Sequence, residues 1–312
     1  MKKTVLVTGC NGFIGKAFIK RFSKKYQIIG IDKVMSVEKA NDFSEHILDV
    51  CDTEGLRRIF RDHTIDVVIH TAAEKSLIKC ENDRENAYTV NYLASVELLR
   101  LAGEAGSKFI FISSDQVFDG TGSMYSERSP VNAINYYGRL KILTEHQLLQ
   151  HPGAAICRTA LVFGDIPKEQ REYFDEIKYN ETLAVQGFIV QQTLACLKTG
   201  KTLILPDDEF VSPTHVSLLA DQLDHVIMQD ASGILHCCGK DRISRYEMGK
   251  RIAARFRIED FSCIKRKGMW DPLRPKDVSL DCSYTESVLG MEFMSFSQML
   301  QSYVREDTDG EI

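Results

Sequence analysis

Short apolar runs alternate along the chain with longer stretches in which apolar residues recur at helical spacing. The apolar runs, each of which predicts a β-strand, are residues 4–8, 27–31, 46–48, 66–70, 109–112 and 154–158. The stretches that predict helices are residues 13–22, 53–60, 84–105 and 134–149. Runs such as VLV, DVVIH and FIFI are continuous rather than alternating, which is typical of strands covered on both faces. The first half therefore predicts βαβ units and an α/β fold with a doubly wound parallel sheet.

The pattern changes after about residue 164. Helical spacing returns at residues 187–197, 215–228 and 246–256, and short apolar runs at 203–205 and 234–237 predict further strands. We expect residues 1–165 to form a dinucleotide-binding domain to which residues 214–238 return. Residues 166–213 and 239–312 are then expected to form a smaller C-terminal substrate-binding lobe.

Composition and charge exclude several classes of protein. Apolar residues make up 44% and charged residues 27%, as in ordinary globular proteins, and no run approaches the roughly 18 apolar residues that span a bilayer. We therefore expect a cytoplasmic protein without a membrane partner. The net charge of −5 and the short basic groups argue against nucleic-acid binding. Nine cysteines without a CxxC motif, and eight histidines without metal-ligand spacing, predict neither a disulfide framework nor a metal site.

A glycine-rich turn lies where the first predicted strand meets the first predicted helix. Gly9, Gly12 and Gly15 allow a tight turn, a close approach of the backbone to a pyrophosphate, and close packing of the helix on the strand. The helix N-terminus then faces the negative charge. Asp32 ends the second strand, where a carboxylate accepts hydrogen bonds from a ribose 2′-hydroxyl and repels a 2′-phosphate. This arrangement favours NAD(H) over NADP(H), although the neighbouring Lys33 weakens the inference.

Two Tyr-x-x-x-Lys patterns occur in the chain, Tyr137 with Lys141 and Tyr246 with Lys250. Tyrosine and lysine at this spacing share a helix face, so that the ammonium, with a nicotinamide cation nearby, lowers the pKa of the phenol. Only the first pair follows a strand whose carboxyl end carries a hydroxyl, that of Ser114. Because ligands bind at the carboxyl ends of such strands, we expect Tyr137 to be catalytic and Tyr246 to be structural.

The sequence resembles the extended short-chain dehydrogenase/reductase superfamily, and within it the dTDP-4-dehydrorhamnose reductases and the β regulatory subunit of methionine adenosyltransferase. The resemblance covers nearly the whole chain and runs through VTGCNGFIG, DVVIHTAAEKS, VNYLAS, FISSDQVFDG, NYYGRLKILTE, RTALVFG, SPTHV, GILHCCGKDRISRYEMGKRIA and LRPKDVSLDCS. It implies a Rossmann-type sheet with a smaller C-terminal lobe, and a cofactor that is NAD(H) or NADP(H).

The resemblance also implies site residues. Ser114, Tyr137 and Lys141 match the Ser/Thr–Tyr–Lys catalytic triad of the superfamily. Cofactor contacts are implied for Gly9, Gly12, Phe13, Ile14, Gly15, Asp32, Asp49, Val50, Ala72, Ala73, Glu74, Asn91, Tyr137, Lys141, Leu161 and Val162. Substrate contacts are implied for Ser114, Asp115, Gln116 and Arg274, the last at a nucleotide phosphate.

Two departures from the family pattern concern Gln116. The reductases usually have tyrosine at this position, so the sugar pocket is expected to differ. The related 4,6-dehydratases have Asp-Glu where this chain has Asp115-Gln116. Because glutamine cannot act as a base, dehydration is not expected.

Three functions stay open at this point. The first is an NAD(P)H-dependent reductase of a nucleotide-linked 4-keto-6-deoxy sugar, in which Tyr137 donates the proton. The second is a nucleotide-sugar epimerase that uses the same triad. The third is a cofactor-binding regulatory subunit with a methionine adenosyltransferase catalytic subunit as its partner, which AAEKS, SPTHV, RYEM and LDCS favour. The resemblance also implies a homodimer formed through residues 84–105 and 134–149.

Overall fold

The computed structural model describes residues 2–35, 43–164, 188–268 and 271–307. Its strands are β1 (Thr4–Thr8), β2 (Gln27–Asp32), β3 (Ser44–Ile47), β4 (Val67–His70), β5 (Lys108–Ser114), β6 (Ala155–Thr159), β7 (Val162–Phe163), β8 (Leu203–Leu205), β9 (Phe210–Val211), β10 (Thr214–His215), β11 (Gly233–His236), β12 (Ile243–Ser244) and β13 (Ile264–Arg266). Its helices are α1 (Phe13–Phe22), α2 (Thr53–Asp62), α3 (Leu77–Asn82), α4 (Arg84–Tyr88), α5 (Ala94–Glu104), α6 (Tyr136–Leu148), α7 (Ile189–Thr199), α8 (Val216–Met228), α9 (Arg245–Arg255), α10 (Ser283–Leu289) and α11 (Phe296–Asp307).

Seven strands form one sheet in the order β11-β6-β5-β4-β1-β2-β3, and every pairing in it is parallel. The chain enters at β1, moves outward through β2 and β3, and returns to β4 on the other side of β1. The strand order therefore reverses between β1 and β4, and sheets of this kind bind ligands at that crevice. The predicted Rossmann-type, doubly wound parallel sheet is confirmed.

The sheet is covered on both faces, which explains the continuous apolar runs. Val5 and Val7 of β1 face a layer that includes Phe18 of α1 and residues of α8. Leu6, between them, faces the opposite layer, which includes Leu98 of α5 and residues of α2. Successive side chains of a strand point to opposite faces, so a strand buried on both faces is apolar throughout. None of the described helices is both long and apolar enough to cross a membrane.

The smaller C-terminal lobe has a core of its own. Its buried side chains come from α7, α9 and α11 and from β8 and β13, and include Leu205, Met248, Ile252 and Phe296. Strand β11 pairs with β6 in the main sheet, and α8, which precedes it, packs on α1. The domain boundary predicted at residue 165 lies outside the described residues.

The helices differ from the sequence prediction where an apolar period is too short or too weak to be seen in the sequence. The helix predicted at 84–105 contains a π-helical turn, Thr89–Leu93, between α4 and α5. Helices α3, α10 and α11 were not predicted. Helices α3 and α10 have six or seven residues, too few turns for an apolar period to show, and α11 lies in the C-terminal segment, where the sequence has little periodicity. Ser76 begins α3 by accepting a hydrogen bond from the backbone N–H of Lys79.

Gly138 determines how closely α6 approaches the chain that follows β5. A Cβ atom at this position would lie 2.1 Å from the carbonyl oxygen of Gln116 and 2.8 Å from the Cβ of Ala133. Gly103 of α5 is an exposed counterpart, since a Cβ atom there would have no neighbour within 4 Å. The two glycines are a matched pair, one with a packing role and one without.

We expect Gly138→Ala to lower the free energy of unfolding by about 1–3 kcal/mol, because α6 must move away from Gln116. Gly103→Ala should raise the same quantity by up to about 1 kcal/mol, because alanine is the better helix former. Urea unfolding of both variants measures the difference. Equal stabilities for the two variants would contradict the packing role of Gly138.

Candidate active site

The glycine turn between β1 and α1 has the geometry of a phosphate-binding turn. Gly9 has a φ angle of +65°, which glycine adopts without strain, and its N–H donates to the carbonyl oxygen of Ile31 at 2.9 Å. A Cβ atom at Gly15 would lie 2.4 Å from the carbonyl oxygen of Gly9, so the helix packs tightly on the turn. Gly12 is the N-cap of α1 and supplies no side-chain cap. The N–H groups of the first helical turn, which begins at Phe13 and Ile14, therefore suit an anion such as a pyrophosphate.

Two carboxylates lie beside this turn. Asp32, at the end of β2, accepts hydrogen bonds from the N–H of Asn11 at 3.0 Å and from the N–H of Val34 at 3.2 Å. The side-chain amide of Asn11 donates to Glu45 Oε1 at 2.6 Å. Sequence reasoning missed Glu45, which the pairing of β3 with β2 brings to this position. Asp49, beyond the end of β3, is exposed and is followed by the buried Val50.

The segment after β4 is held by hydrogen bonds to Asn91, which lies between α4 and α5. Asn91, which is 1% exposed, accepts a hydrogen bond from the N–H of Glu74 and donates one to its carbonyl oxygen, both at 2.9 Å. At the other end, the N–H of Ala72 donates to Thr8 Oγ1 at 3.3 Å. These bonds place residues 72–74, including Ala73, at the crevice between β1 and β4. Asn91 lies in the π-helical turn.

The triad residues meet at the carboxyl end of β5. Ser114 is the last residue of β5, and Tyr137 and Lys141 lie one helical turn apart on α6. Lys141 Nζ donates to the carbonyl oxygen of Ile112 at 2.8 Å and lies 5.5 Å from the centre of the Tyr137 ring. Ser114 is close enough to Tyr137 for its hydroxyl to oppose the rise in the pKa of the phenol. The sequence-predicted triad is thus brought together beside the crevice.

Burial controls the protonation of both α6 residues. It raises the pKa of the Tyr137 phenol above its ordinary value, and the negative charge of Asp115 acts in the same direction. The structure therefore does not show the lowered pKa that the Tyr-x-x-x-Lys spacing predicts. Burial lowers the pKa of Lys141 to about 8, while the charge of Glu145 opposes this change. At neutral pH the phenol therefore carries a proton and the amine is mostly an ammonium.

Asp115 is a buried carboxyl group next to the triad. It is 5% exposed, and burial raises its pKa to about 6, against hydrogen bonds from Gln116 and Ser114 and the charge of Arg245. Its Oδ1 accepts from Ser114 Oγ at 2.9 Å and from Gln116 Nε2 at 3.2 Å. Asn135, the N-cap of α6, donates to Gln116 Oε1 at 3.0 Å. Ser114, Asp115, Gln116 and Asn135 thus form one hydrogen-bonded row.

The lobe approaches this row through two arginines. Asn135 Nδ2 also donates to the carbonyl oxygen of Leu273, at 2.9 Å, which brings the neighbouring Arg274 to the junction of sheet and lobe. Arg245, which sequence reasoning missed, is almost fully buried, and its Nε has no hydrogen-bond partner. It lies 3.7 Å from Glu209 Oε2. Burial and the charge of Arg274 lower the pKa of Arg245 to about 10.

The remaining predicted residues lie at the edges of this region. Leu161 and Val162 are partly buried beside the core, and the carbonyl oxygen of Leu161 accepts from the N–H of Thr214 at 2.9 Å. Tyr246 packs against the lobe core, and Lys250 pairs with Glu247 on the surface. The second Tyr-x-x-x-Lys pattern therefore belongs to α9 of the lobe and not to the helix that carries the triad. Across the described ranges, no three His, Cys, Asp or Glu side chains are grouped as metal ligands.

Comparison with known proteins gives a family match over almost the whole chain. Residues 1–308 match the family model of the RmlD substrate binding domain. The chain is 28% identical over 296 residues to the β subunit of methionine adenosyltransferase 2 from Xenopus tropicalis, which covers 92% of this chain and 82% of that protein. The family match and this relative both span the sheet and the lobe.

Two solved structures are similar over nearly the full length. A hypothetical dTDP-4-dehydrorhamnose reductase from Sulfolobus tokodaii is 27% identical with a TM-score of 0.77, covering 95% of this chain and 97% of that chain. The dTDP-4-dehydrorhamnose reductase of Bacillus anthracis, solved in complex with NADP, is 22% identical with a TM-score of 0.82, covering 98% of this chain and 99% of that chain. The second likeness shows a common fold.

The buried Asp115 makes a pH-dependent contribution to stability. Because folding raises its pKa from the ordinary 3.8 to about 6, the charged form is penalised above pH 6, and this penalty disappears as the pH falls toward 3.8. We expect Asp115→Asn to raise the free energy of unfolding at pH 7.5 by up to about 3 kcal/mol, and the gain to vanish near pH 4. Urea unfolding at several pH values measures it.

Asp119→Asn is the matched control for this prediction. Hydrogen bonds from Thr121 lower the pKa of Asp119 to about 2, so its carboxylate stabilises the fold above pH 3.8. The control should therefore lower stability at pH 7.5, the opposite sign. A loss of stability at pH 7.5 in Asp115→Asn as well would show that the charge of Asp115 is not penalised.

Proposed function

The chain belongs to the RmlD substrate binding domain family, and from this premise we propose that it is an NAD(P)H-dependent reductase of a nucleotide-linked 4-keto-6-deoxy sugar. The observation that carries the proposal is the assembled triad, in which Ser114, a protonated Tyr137 and the ammonium of Lys141 lie together at the carboxyl end of β5. The likeness to a hypothetical dTDP-4-dehydrorhamnose reductase at 27% identity supports the substrate class.

The chain's residues fit a nicotinamide dinucleotide. The uncapped N-terminus of α1 would hold the pyrophosphate, Asp32 the adenosine ribose, and Lys141 the nicotinamide ribose. The further contacts are proposed for Asp49, Val50, Ala72, Ala73, Glu74, Leu161 and Val162, with Asn91 supporting the site from behind. A bound cofactor would supply the hydride, while the protein supplies position and electrostatics.

Tyr137 is proposed as the proton donor to the carbonyl oxygen of the sugar. Its raised pKa keeps the phenol protonated until charge develops on that oxygen, and Ser114 holds the same oxygen by a hydrogen bond. The ammonium of Lys141, 5.5 Å from the ring, then stabilises the phenolate that remains. In this proposal Ser114 orients the carbonyl oxygen, Tyr137 donates the proton to it, and Lys141 stabilises the phenolate after the transfer.

The substrate side of the site favours reduction over dehydration. Gln116 is an amide, occupied by Asp115 and Asn135, and cannot remove a proton from the sugar. Arg274, at the lobe junction, is proposed to meet a phosphate of the nucleotide. Epimerisation would use the same triad. The two reactions are distinguished by the cofactor, which a reductase consumes and an epimerase regenerates.

We propose NAD(H) as the preferred cofactor. Asp32 and Glu45 both reach Asn11 at the rim of the glycine turn, which gives this corner two carboxylates. A 2′-phosphate carries about two negative charges at neutral pH and is repelled by both. A ribose 2′-hydroxyl instead donates a hydrogen bond to a carboxylate.

The expected dissociation constant for NADPH is about five- to tenfold higher than that for NADH, because of this repulsion. Glu45→Gln and Asp32→Asn should each narrow the ratio severalfold, whereas Asp62→Asn, an exposed change on α2, should leave it unaltered. Quenching of NADH and NADPH fluorescence gives both constants. Equal binding of the two cofactors by the unmodified protein would refute the preference.

Turnover is tested with dTDP-4-keto-6-deoxyglucose, with and without a 3,5-epimerase, by following NADH and NADPH oxidation at 340 nm. Tyr137→Phe should lower kcat by about 10²-fold or more, because the proton donor is lost. Tyr246→Phe, in the second copy of the pattern, should keep kcat within about twofold. Cofactor binding without turnover, or equal effects of the two substitutions, would count against the reductase.

A second candidate function is a cofactor-binding regulatory subunit. The observation that favours it is the 28% identity to the methionine adenosyltransferase 2 β subunit over 92% of this chain. In that case a methionine adenosyltransferase catalytic subunit is the partner, and its copurification with this chain and altered kinetics in its presence would support regulation. A homodimer, tested by the mass in solution, is compatible with either function.

A further inference from the structure

A buried carboxylate that the proposed proton transfer does not use lies one helical turn beyond Lys141. Glu145 is 2% exposed on α6. Its Oε1 accepts from Ser113 Oγ at 2.5 Å and from Arg158 Nε at 3.0 Å, and its Oε2 accepts from Arg158 Nη2 at 2.7 Å. Arg158, on β6, is also only 2% exposed. A fully buried ion pair of this kind is costly to desolvate, so stability alone is a weak reason for it.

We propose that Glu145 is a positioning residue that sets α6 against the carboxyl ends of β5 and β6 and supplies the negative charge that keeps Lys141 an ammonium. The proposal deepens the reductase function and rests on it, because it acts through the roles assigned to Tyr137 and Lys141. Ser113 and Arg158 are the groups that hold the carboxylate in place.

The geometry ties two consecutive residues of β5 to two positions of α6. The carbonyl oxygen of Ile112 accepts from Lys141, and Ser113 donates to Glu145. A shift of α6 along β5 would break both contacts together. Arg158 extends the contact of Glu145 to β6.

The charge argument follows from what surrounds Lys141. His70 faces it from β4 and is neutral, because burial and Lys141 lower the pKa of the imidazole to about 3. Cys80 faces it from α3 and is neutral, because burial raises the pKa of the thiol to about 11. Tyr137, on its own helix, is protonated. Of these described neighbours, Glu145 is the one that opposes the loss of the Lys141 proton at neutral pH.

A test of the Glu145 charge needs a variant in which the charges of both Glu145 and Arg158 are removed. Replacing Glu145 alone would leave Arg158 buried and uncompensated, with an Nη1 that already has no hydrogen-bond partner. Such a change destabilises a protein strongly, whereas replacement of both partners by apolar residues of similar volume is often tolerated. Glu145→Leu combined with Arg158→Met therefore separates the charge from the packing. Glu145→Gln is the milder single change.

The test is the titration of Lys141 by NMR in the cofactor-free full chain labelled with ¹³C-lysine, with the signal assigned by Lys141→Met. In the unmodified protein the midpoint should lie near pH 8. In the double variant, and in Glu145→Gln if it folds, the midpoint should fall by about one pH unit. NADH affinity at pH 8 should fall severalfold in parallel. Glu97→Gln, in the partly exposed ion pair with Arg100, is the control and should change neither.

Each outcome is decisive. An unchanged Lys141 midpoint in the folded double variant would overturn the inference and leave the ion pair with a structural role only. A lowered midpoint without any NADH binding or turnover by the unmodified protein would support the positioning role and refute the reductase. A lowered midpoint together with weaker NADH binding supports both.

Discussion

The contact between α6 and the carboxyl end of β5 is the constraint on which the rest of the site depends. Gly138 lets the helix lie against the carbonyl oxygen of Gln116, closer than any residue with a Cβ atom would allow. This approach brings Lys141 to the carbonyl oxygen of Ile112 and Glu145 to Ser113. A helix held at this distance cannot adjust its side chains independently. The triad is therefore a property of the packed pair of elements rather than of three separate residues.

Close packing also determines the electrostatics. Lys141, Glu145, Arg158 and Asp115 are all at most 5% exposed, so each would be penalised as an isolated charge. The pair of Glu145 and Arg158 offsets its own cost through two hydrogen bonds. Lys141 and Asp115 are compensated less completely, and their pKa values move toward neutrality. Such shifts concentrate where a protein performs proton transfer, because the same burial that costs stability makes the groups responsive.

Sequence reasoning was sufficient for the fold and for the placement of residues that a strand end, a glycine turn or a helical spacing marks in the sequence. The glycine turn, Ser114 at the end of a strand, and Tyr137 with Lys141 at helical spacing all belong to this class. Glu145 and Arg158 were not found, because a charged residue in a helix or strand normally indicates a solvated face. Glu45 was not found either, because its role depends on the register between β3 and β2. A contact between two elements that are distant in sequence leaves no pattern in the sequence of either element.

The proposed cofactor region and the proposed substrate region differ in how well they distinguish between the candidate functions. In the proposed function the glycine turn, Asn91 and the triad all serve a cofactor, so a reductase and a cofactor-binding regulatory subunit can share them. The row formed by Asp115, Gln116 and Asn135, which is proposed to face the substrate, meets the lobe at Leu273. Arg245 lies beside that junction, with a buried Nε that makes no hydrogen bond and is 3.7 Å from Glu209 Oε2. A buried N–H group without a hydrogen bond is costly unless a ligand accepts one from it. The substrate side is therefore where an enzyme of this family and a regulatory relative have physical reason to differ.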